Sequence, residues 1–515
     1  MRKFKIDFET IKYPLIVMLI MFLFRGISNT VLSDGVIVNI DGNFKWIIGL
    51  MSIIQYFSTM VIQYLPFLFV VMYLSKRYNS SKLVLMFFVS FLLISTITAI
   101  YGSHNLPAIA YATFFKIDSL SYFRPGNVEV ILKPYRIGFF ASLISGVIVA
   151  FSYRWTNART KYALFQFIDK NVLGIIYVIV LSFIMGLFLS VAWPFVIKYL
   201  FLIFDWIAED ITNPLHTLIY GFFDKILSLF ELSALNRETF WYSSLGGSWM
   251  SNAGVNYLGD VSIWQATLSN EVFSGGFGRY LTPYYIINLF AIPGYIIGLF
   301  SLYTDKRERY NNIILASILI AFTFVADLSV PVEILMFVIA PLLYAFHLAV
   351  SSLIFGALHG MGLFLGSVFP DGLAGVTLGN GFEFVSYFKN HNLRSTLVTL
   401  IIIGIVILII YIFATRLYYR YLAIGLINKF DIEAYVDELD KIVGGISNIE
   451  EINSSPFRLS VKLKRPQMFD YEFLETTDIG RVKETRTMYS IYYGTASTII
   501  RQEVLLRKQL QEDEF

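Results

Sequence analysis

The sequence predicts an all-α polytopic membrane protein, with about ten transmembrane segments plus re-entrant hairpins and a small α+β domain at its C-terminal end. Three observations lead there. Of the 515 residues, 56% are hydrophobic and only 15% charged, against roughly 25% charged in an ordinary soluble domain. Apolar runs approaching the roughly 20 residues needed to span hydrocarbon recur from Tyr13 to Thr415 with no globular interval. Beyond Arg420 the sequence turns mixed and charged, so the expected division is a membrane domain over 1–425 and a separate domain over 426–515.

The apolar runs fall at 13–32, 46–75, 83–101, 136–153, 172–194, 196–225, 283–303, 311–328, 334–358 and 396–415. The first follows Met1-Arg2-Lys3-Phe4-Lys5, is long for a signal sequence, carries Arg25 and lacks a small-residue cleavage site, so it reads as a retained helix. Basic clusters at Lys76-Arg77 with Lys82, at Arg154, Arg159 and Lys161, at Lys306-Arg307 with Arg309, and at Arg416 and Arg420 mark candidate cytoplasmic loops. With the N-terminus inside, simple alternation places Lys306-Arg307 outside, so two stretches must depart from plain spanning. One lies between 196 and 282, where Asp205, Glu209, Asp210, Asn213, Pro214 and His216 interrupt the apolar pattern. The other lies between His359 and Ser395, rich in glycine (Gly360, Gly362, Gly366, Gly372, Gly375, Gly379, Gly381) and broken by Pro370. Irregular, polar-studded segments inside a helical membrane domain are the pattern of a solute pathway, because unwound backbone offers donors and acceptors at membrane depth.

The C-terminal stretch opens with an amphipathic helix from Asp431 to Leu439, continues with alternating segments at 457–463 and 488–493 that read as strands, and closes with a helix near 498–510. The net charge of +3 is too small to imply nucleic acid. The sequence contains no cysteine, which excludes disulfides, thiolate metal sites and transfer of a group through a thiol. No metal and no cofactor are expected.

The segment from Asn213 to Leu227 resembles a region of bacterial phosphotransferase-system permeases, as do Gly278-Arg279-Tyr280-Leu281-Thr282-Pro283, Ala291-Ile292-Pro293-Gly294 and Ala340-Pro341-Leu342-Leu343-Tyr344-Ala345-Phe346-His347. The resemblance covers nearly the whole chain and is to the glucose/maltose-type enzyme IIC superfamily. Gly444-Gly445, Asn448-Ile449 and Arg458-Leu459 fall at the spacing of the family's enzyme IIB domain, GGxxNIxxxDxCxTRLR, and Gly494 fits its late strand-to-helix turn. In that family the cysteine carries the phosphoryl group. Ser455 stands at that position here, with Asn453, Phe457 and Ser460 in place of the family's Asp, Thr and last Arg. A thiolate is a good nucleophile near neutral pH, whereas an unactivated serine is not. The 431–515 stretch contains no His or Cys to replace it. The family's TEPLEF motif, whose first Glu binds sugar hydroxyls, aligns with Ser329-Val330-Pro331-Val332-Glu333-Ile334, so that Glu has become Val330. Ser233 and Ala234 occupy the family's paired His positions, while Glu333, Pro331 and His347 remain.

The substrate-binding candidates are Glu333, Asp327, His216, Arg279, His347 and His359, each weighed against a structural alternative. Glu333 and Asp327 flank Pro331 and are intramembrane carboxylates, or solvated helix-end residues at the interface. His216 and His347 match family positions, or are hydrogen-bonded packing residues. His359 opens the glycine-rich stretch and lines a cavity on the functional reading. Arg279 faces the pathway or anchors the next helix. Trp241, Tyr242, Trp249, Tyr257 and Trp264 crowd 231–282, as a sugar-stacking surface or an interfacial belt.

The resemblance implies a sugar or related small solute as ligand, a homodimer in the bacterial cell membrane, a cytoplasmic C-terminal domain, and alternating access by movement of the half from about 196 to 395. Ser455 implies that no phosphate passes through the chain's own IIB-like domain. Either separate IIA and IIB proteins serve it, or transport is uncoupled from phosphorylation. A membrane sensor or receptor derived from such a permease is the alternative. A channel finds no support in rings of repeated charge or in a filter-like sequence.

Overall fold

The computed structural model describes residues 8–32, 45–103, 105–112, 133–159, 170–269, 276–367, 377–422, 432–477, 482–485 and 488–513. The basic cluster Met1-Arg2-Lys3-Phe4-Lys5, Lys161, Pro370, Gly372, Gly375 and Asp431 lie outside them. Among the described residues, eight helices are long and apolar enough to cross a membrane. The chain divides into two units, one of Phe8–Thr282 with Ser351–Val376, the other of Pro283–Val350 with Thr377–Phe515 and Met1–Asp7.

The first unit begins with α1 (Phe8–Val31), α2 (Lys45–Tyr78), α3 (Lys82–Tyr101), α4 (Phe139–Arg159) and α5 (Lys170–Glu209). Helix α1 packs on α2, and α3 and α4 both pack on α5. Small residues set the spacing. A Cβ added at Gly186 would lie 2.9 Å from Ile97, and one at Gly146 2.5 Å from Val70. The hydroxyls of Ser90 and Ser182 meet at 2.7 Å between α3 and α5, so each satisfies the other in an apolar interior.

The sequence separates 172–194 from 196–225, but α5 runs unbroken for 40 residues through Pro194. At 1.5 Å per residue it reaches about 60 Å, well beyond a hydrocarbon core of about 30 Å. The break comes at 210–213 instead, where Asn213 caps α6 (Pro214–Leu229) by accepting the Leu215 N–H, and Pro214 occupies the first helical position. Helix α6, at 16 residues, and α7 (Ser233–Tyr242), at 10, are each too short to cross. A small antiparallel hairpin, β1 (Ser248–Met250) and β2 (Asn256–Leu258), leads into α8 (Asp260–Ser269). The departure from plain spanning expected between 196 and 282 is therefore built from short helices.

The second unit contains α9 (Thr282–Phe300), with a π-helical turn at Ile287–Ala291, then α10 (Lys306–Val325), α11 (Ser329–Ile339) and α12 (Pro341–Gly360), the last continuing into the first unit after Val350. The run 334–358 is thus two helices. Pro341 disfavours helical backbone at Ala340, which sits at φ −135°, ψ 62°. Pro331 falls in the first turn of α11, where a missing N–H is harmless, so it starts a helix and does not break one. After Gly360 the described chain has only turns and coil to Ser367; from Thr377 it makes the six-residue α13 (Gly381–Ser386) and 3₁₀ turns before α14 (Arg394–Leu417).

Helices α9 and α14 pack closely because glycine permits it. A Cβ at Gly294 would stand 2.6 Å from the Leu408 carbonyl, and one at Gly404 2.4 Å from the Phe290 ring. Gly294→Val is expected to force the helices apart and cost roughly 1–3 kcal/mol, read as a lower midpoint of thermal unfolding in detergent. An unchanged midpoint would show that the contact is not tight.

The second unit ends in α15 (Ile432–Val443), β3 (Ile449–Ser454), β4 (Leu459–Leu463), α16 (Tyr471–Thr476), β5 (Val482–Thr485), β6 (Met488–Ile491) and α17 (Ser497–Asp513). The strands form one antiparallel sheet in the order β3-β4-β6-β5. Val436, Leu439 and Val443, spaced three and four apart, put one face of α15 into a buried core shared with Ile452 and Val461 of the sheet and Ile500 of α17. The sequence misses β3, whose Glu450, Glu451 and Asn453 are poor strand formers; pairing with β4 overrides that preference. Gly444 and Gly445 adopt φ of 71° and 103°, turning the chain off α15. Asn448 then donates to the carbonyls of Val443 and Arg465, at 2.7 and 3.1 Å, and accepts the Arg465 N–H at 2.9 Å.

Candidate functional site

In the first unit, three of the sequence-derived candidates gather on the turn that ends α5. Asp210 shapes that turn by accepting the Thr212 N–H at 3.0 Å and hydroxyl at 2.6 Å. His216, one turn into α6, places Nδ1 3.1 Å from the Ile207 carbonyl and packs its ring on Trp206, centroids 4.3 Å apart. The Arg279 guanidinium donates to the Ile211 carbonyl. His359, at the end of α12, sets Nδ1 2.5 Å from the Thr217 hydroxyl.

Arg279 is 4% exposed and lies 3.6 Å from the Asp260 carboxylate, which is fully buried. At that distance the two form an ion pair without a hydrogen bond. Asp260 instead accepts the backbone N–H groups of Gly278, at 2.9 Å, and Tyr280, at 3.4 Å. The positive φ of Gly278, 92°, and the Gly366 nitrogen 2.6 Å from where its Cβ would be explain why glycine precedes the arginine. Nearby, Asp224 and Arg237 form a two-pronged pair at 2.7 and 3.0 Å, with Ser228 as a further acceptor for the guanidinium at 2.9 Å.

The aromatic cluster divides. Trp241 is in the core and donates to the Tyr220 hydroxyl at 3.0 Å, and Trp264 lies against Gly366. Trp249 and Tyr257 are a cross-strand pair on the β1–β2 hairpin, centroids 5.9 Å apart.

In the second unit, Glu333 of α11 and His347 of α12 meet across the break at Ala340. Nε2 of His347 is 3.0 Å from Oε1 of Glu333, and both side chains are fully buried. The other ring nitrogen, Nδ1, is 2.8 Å from the Tyr411 hydroxyl of α14. A neutral imidazole satisfies both contacts with Nε2–H donating to the carboxylate and the tyrosine O–H donating to Nδ1; an imidazolium satisfies them with both nitrogens donating. The arrangement fixes the carboxylate in place and gives it a partner that can carry positive charge. The tyrosine has no counterpart in the sequence-derived set.

Asp327 is buried but accepts the Ser329 N–H at 3.0 Å and hydroxyl at 2.5 Å at the start of α11, the position where a carboxylate favours a helix N-terminus. Its neighbour in the fold is Asn288, on the π-helical turn. The Asn288 amide nitrogen lies within hydrogen-bonding distance of the carbonyls of Thr323, Ala326 and Gly379, at 2.7, 3.0 and 3.1 Å, and its oxygen accepts the Leu328 N–H at 3.1 Å. Asn380 caps α13 by accepting the N–H groups of Phe382 and Glu383, at 2.9 and 3.2 Å, and places Glu383, 2% exposed, within 3.5 Å of the Tyr387 hydroxyl. Sequence reasoning did not single out Asp260, Asn288, Asn380 or Glu383. The available signal was a lone polar residue in an apolar setting, and for Asn380 its place three residues ahead of an acidic one.

A polytopic membrane protein whose long apolar helices give way to short, non-spanning ones, with histidines, carboxylates and an arginine buried beside those interruptions, has the build of a solute permease. Residues 13–352 match the family model described as "Phosphotransferase system, EIIC", about two-thirds of the sequence. The chain belongs to that family, and its role is that of a sugar permease of the phosphotransferase system.

Proposed function

We propose that this chain binds a sugar or related small solute and moves it across the bacterial membrane without phosphorylating it through its own C-terminal domain. That domain, residues 426–515, is read as a degenerate IIB-like unit on the cytoplasmic side, and the membrane domain as a homodimer of the glucose/maltose type. Glu333, held by His347, is the leading solute acceptor, with Asp327 as the further candidate in the same unit; Arg279, His216 and His359 are the candidates of the first unit, taken by themselves.

The observation that carries this reading is the state of Ser455 at the β3–β4 turn. Its hydroxyl donates to the Arg458 carbonyl at 3.2 Å and accepts the Arg458 N–H at 3.1 Å, while its own N–H binds the same carbonyl at 2.8 Å. The side chain is 6% exposed and shapes the turn. A hydroxyl so engaged, with no histidine in 431–515 to act as base, is a poor phosphoryl acceptor. The motif residues that persist, Gly444, Gly445 and Asn448, are those that build the turn after α15. The fold-making half of the motif is present and the phosphate-carrying half is gone.

Incubating the purified full-length chain with the general phosphotransferase components and radiolabelled phosphoenolpyruvate tests this. No stable label on the chain is expected; stoichiometric label on the C-terminal domain would overturn the proposal. Solute binding without flux in proteoliposomes would instead favour a sensor.

A further inference from the structure

The β3–β4 hairpin tip does more than close a strand pair. Thr304, between α9 and α10, donates its N–H to the Ser454 carbonyl at 3.1 Å, and its hydroxyl accepts the Ser454 N–H at 2.8 Å. The same hydroxyl lies 3.2 Å from the Asn453 side-chain oxygen. Arg458 forms an ion pair with Glu308 in the first turn of α10. Phe457 faces Tyr419, just beyond α14, with ring centroids 6.3 Å apart, and its carbonyl accepts the Gly494 N–H at 3.1 Å. On the other side, Asp305 caps α10 through the Arg307 N–H at 2.8 Å, and Arg416 of α14 donates to Ser301 at 2.7 Å. Segment 301–308 is therefore fixed at both ends, and its middle is engaged by backbone and side-chain contacts from one hairpin.

We propose that segment 301–308 is a docking surface whose occupant is the chain's own hairpin 453–458, and that this occupancy keeps a separate phosphocarrier protein off that surface. The inference rests on the reading that Ser455 carries no phosphate. The contacts of Asn453, Ser454 and Arg458 put position 455 beside this segment, so a separate carrier that binds the same segment must first displace the hairpin. The hairpin is covalently attached, and a tethered occupant competes as if present at on the order of millimolar concentration. Each contact is weak alone, since Arg458 and Glu308 are 26% and 34% exposed. Acting together on one tethered partner, they need only outcompete a carrier present at far lower concentration. Transport is then uncoupled from phosphorylation even where intact carrier proteins are present.

The lack of native cysteine makes the test direct. The full-length chain carrying Thr304→Cys and Asn453→Cys is oxidised mildly in membranes, and the closure rate is compared with a Thr304→Cys and Ser447→Cys control. Ser447 lies in the 3₁₀ turn before β3, at the end of the strand away from the tip, roughly 15 Å from Asn453. Closure at least about tenfold faster than in the control is expected for a seated hairpin. In parallel, the single variant Thr304→Cys should react with a membrane-impermeant maleimide several-fold faster once Arg458→Glu is added, and the charge reversal Glu308→Arg should restore protection. As a third arm, a purified cysteine-bearing IIB domain of the glucose type should cross-link to Thr304→Cys only in the Arg458→Glu background. Equal closure rates in the two pairs, or equal IIB capture with and without Arg458→Glu, would overturn the docking proposal while leaving the phosphate-free reading of Ser455 intact. Phosphate label on the chain would overturn the reading of Ser455 and with it the uncoupling, while fast closure of the Thr304–Asn453 pair would still show the hairpin seated.

Discussion

Arg279→Ala is expected to destabilise the chain by about 3–5 kcal/mol, the cost of leaving a buried charge without its partner. Asp260 is fully buried, and Arg279 is its ion-pair partner at 3.6 Å. The arginine also reaches the Ile211 carbonyl, so one substitution loosens the 278–280 turn and the 210–213 turn together. The amides of Gly278 and Tyr280 still solvate the carboxylate and hold the loss below that of a bare charge. Asp260→Leu combined with Arg279→Met should cost less than the sum of the single changes, because the pair leaves as a unit. Unfolding in detergent, followed by the buried tryptophans, measures Arg279→Ala, the two single changes and their combination. A loss under about 0.5 kcal/mol for Arg279→Ala, the range of ordinary surface changes, would contradict this account.

Glu333→Gln is expected to weaken solute binding by roughly 10- to 100-fold with little change in stability. The amide oxygen of Gln still accepts the His347 Nε2–H seen at 3.0 Å, so the contact between α11 and α12 survives. What disappears is one carboxylate oxygen as acceptor for a solute hydroxyl; such a hydrogen bond contributes roughly 1.5–3 kcal/mol where the acceptor is ionised, with about 1.4 kcal/mol per decade of affinity. His347→Ala should act differently, lowering stability because it leaves the buried Glu333 carboxylate and the Tyr411 hydroxyl without that partner. Equilibrium binding of radiolabelled hexoses, amino sugars and disaccharides, measured beside unfolding midpoints, separates the two effects. Unchanged binding with a lowered midpoint for Glu333→Gln would assign the carboxylate a packing role alone.

The membrane helices were legible in the sequence because length and hydropathy suffice to define them: the runs at 13–32, 46–75, 83–101 and 396–415 each became a helix over nearly the same residues. Breaks were less so. Pro194 reads as a boundary but sits inside α5, while the real interruption at 210–213 is made by Asp210 and Asn213 side chains bonding to backbone. The site was legible in part. Glu333 and His347 were identified separately, yet their pairing depends on the bend at Ala340 bringing together residues 14 apart in sequence, which no helical period reveals. Asn288 and Asp260 each stand among apolar neighbours where nothing local marks a partner, and only the fold supplies one, whereas Glu383 meets Asn380 and Tyr387 at the local spacings of three and four residues. The small domain shows the same limit, since β3 is a strand by virtue of β4 and not by its own composition.

On the proposed function, solute crosses without passing through a phosphate ester made by this chain. The most direct measurement is the chemical state of radiolabelled sugar inside proteoliposomes containing the purified full-length chain, with and without phosphoenolpyruvate and the general phosphotransferase proteins. The account predicts free sugar in the lumen and the same uptake under both conditions. Uptake that requires the phosphoryl donor, with sugar phosphate recovered and no separate IIB protein added, would contradict it.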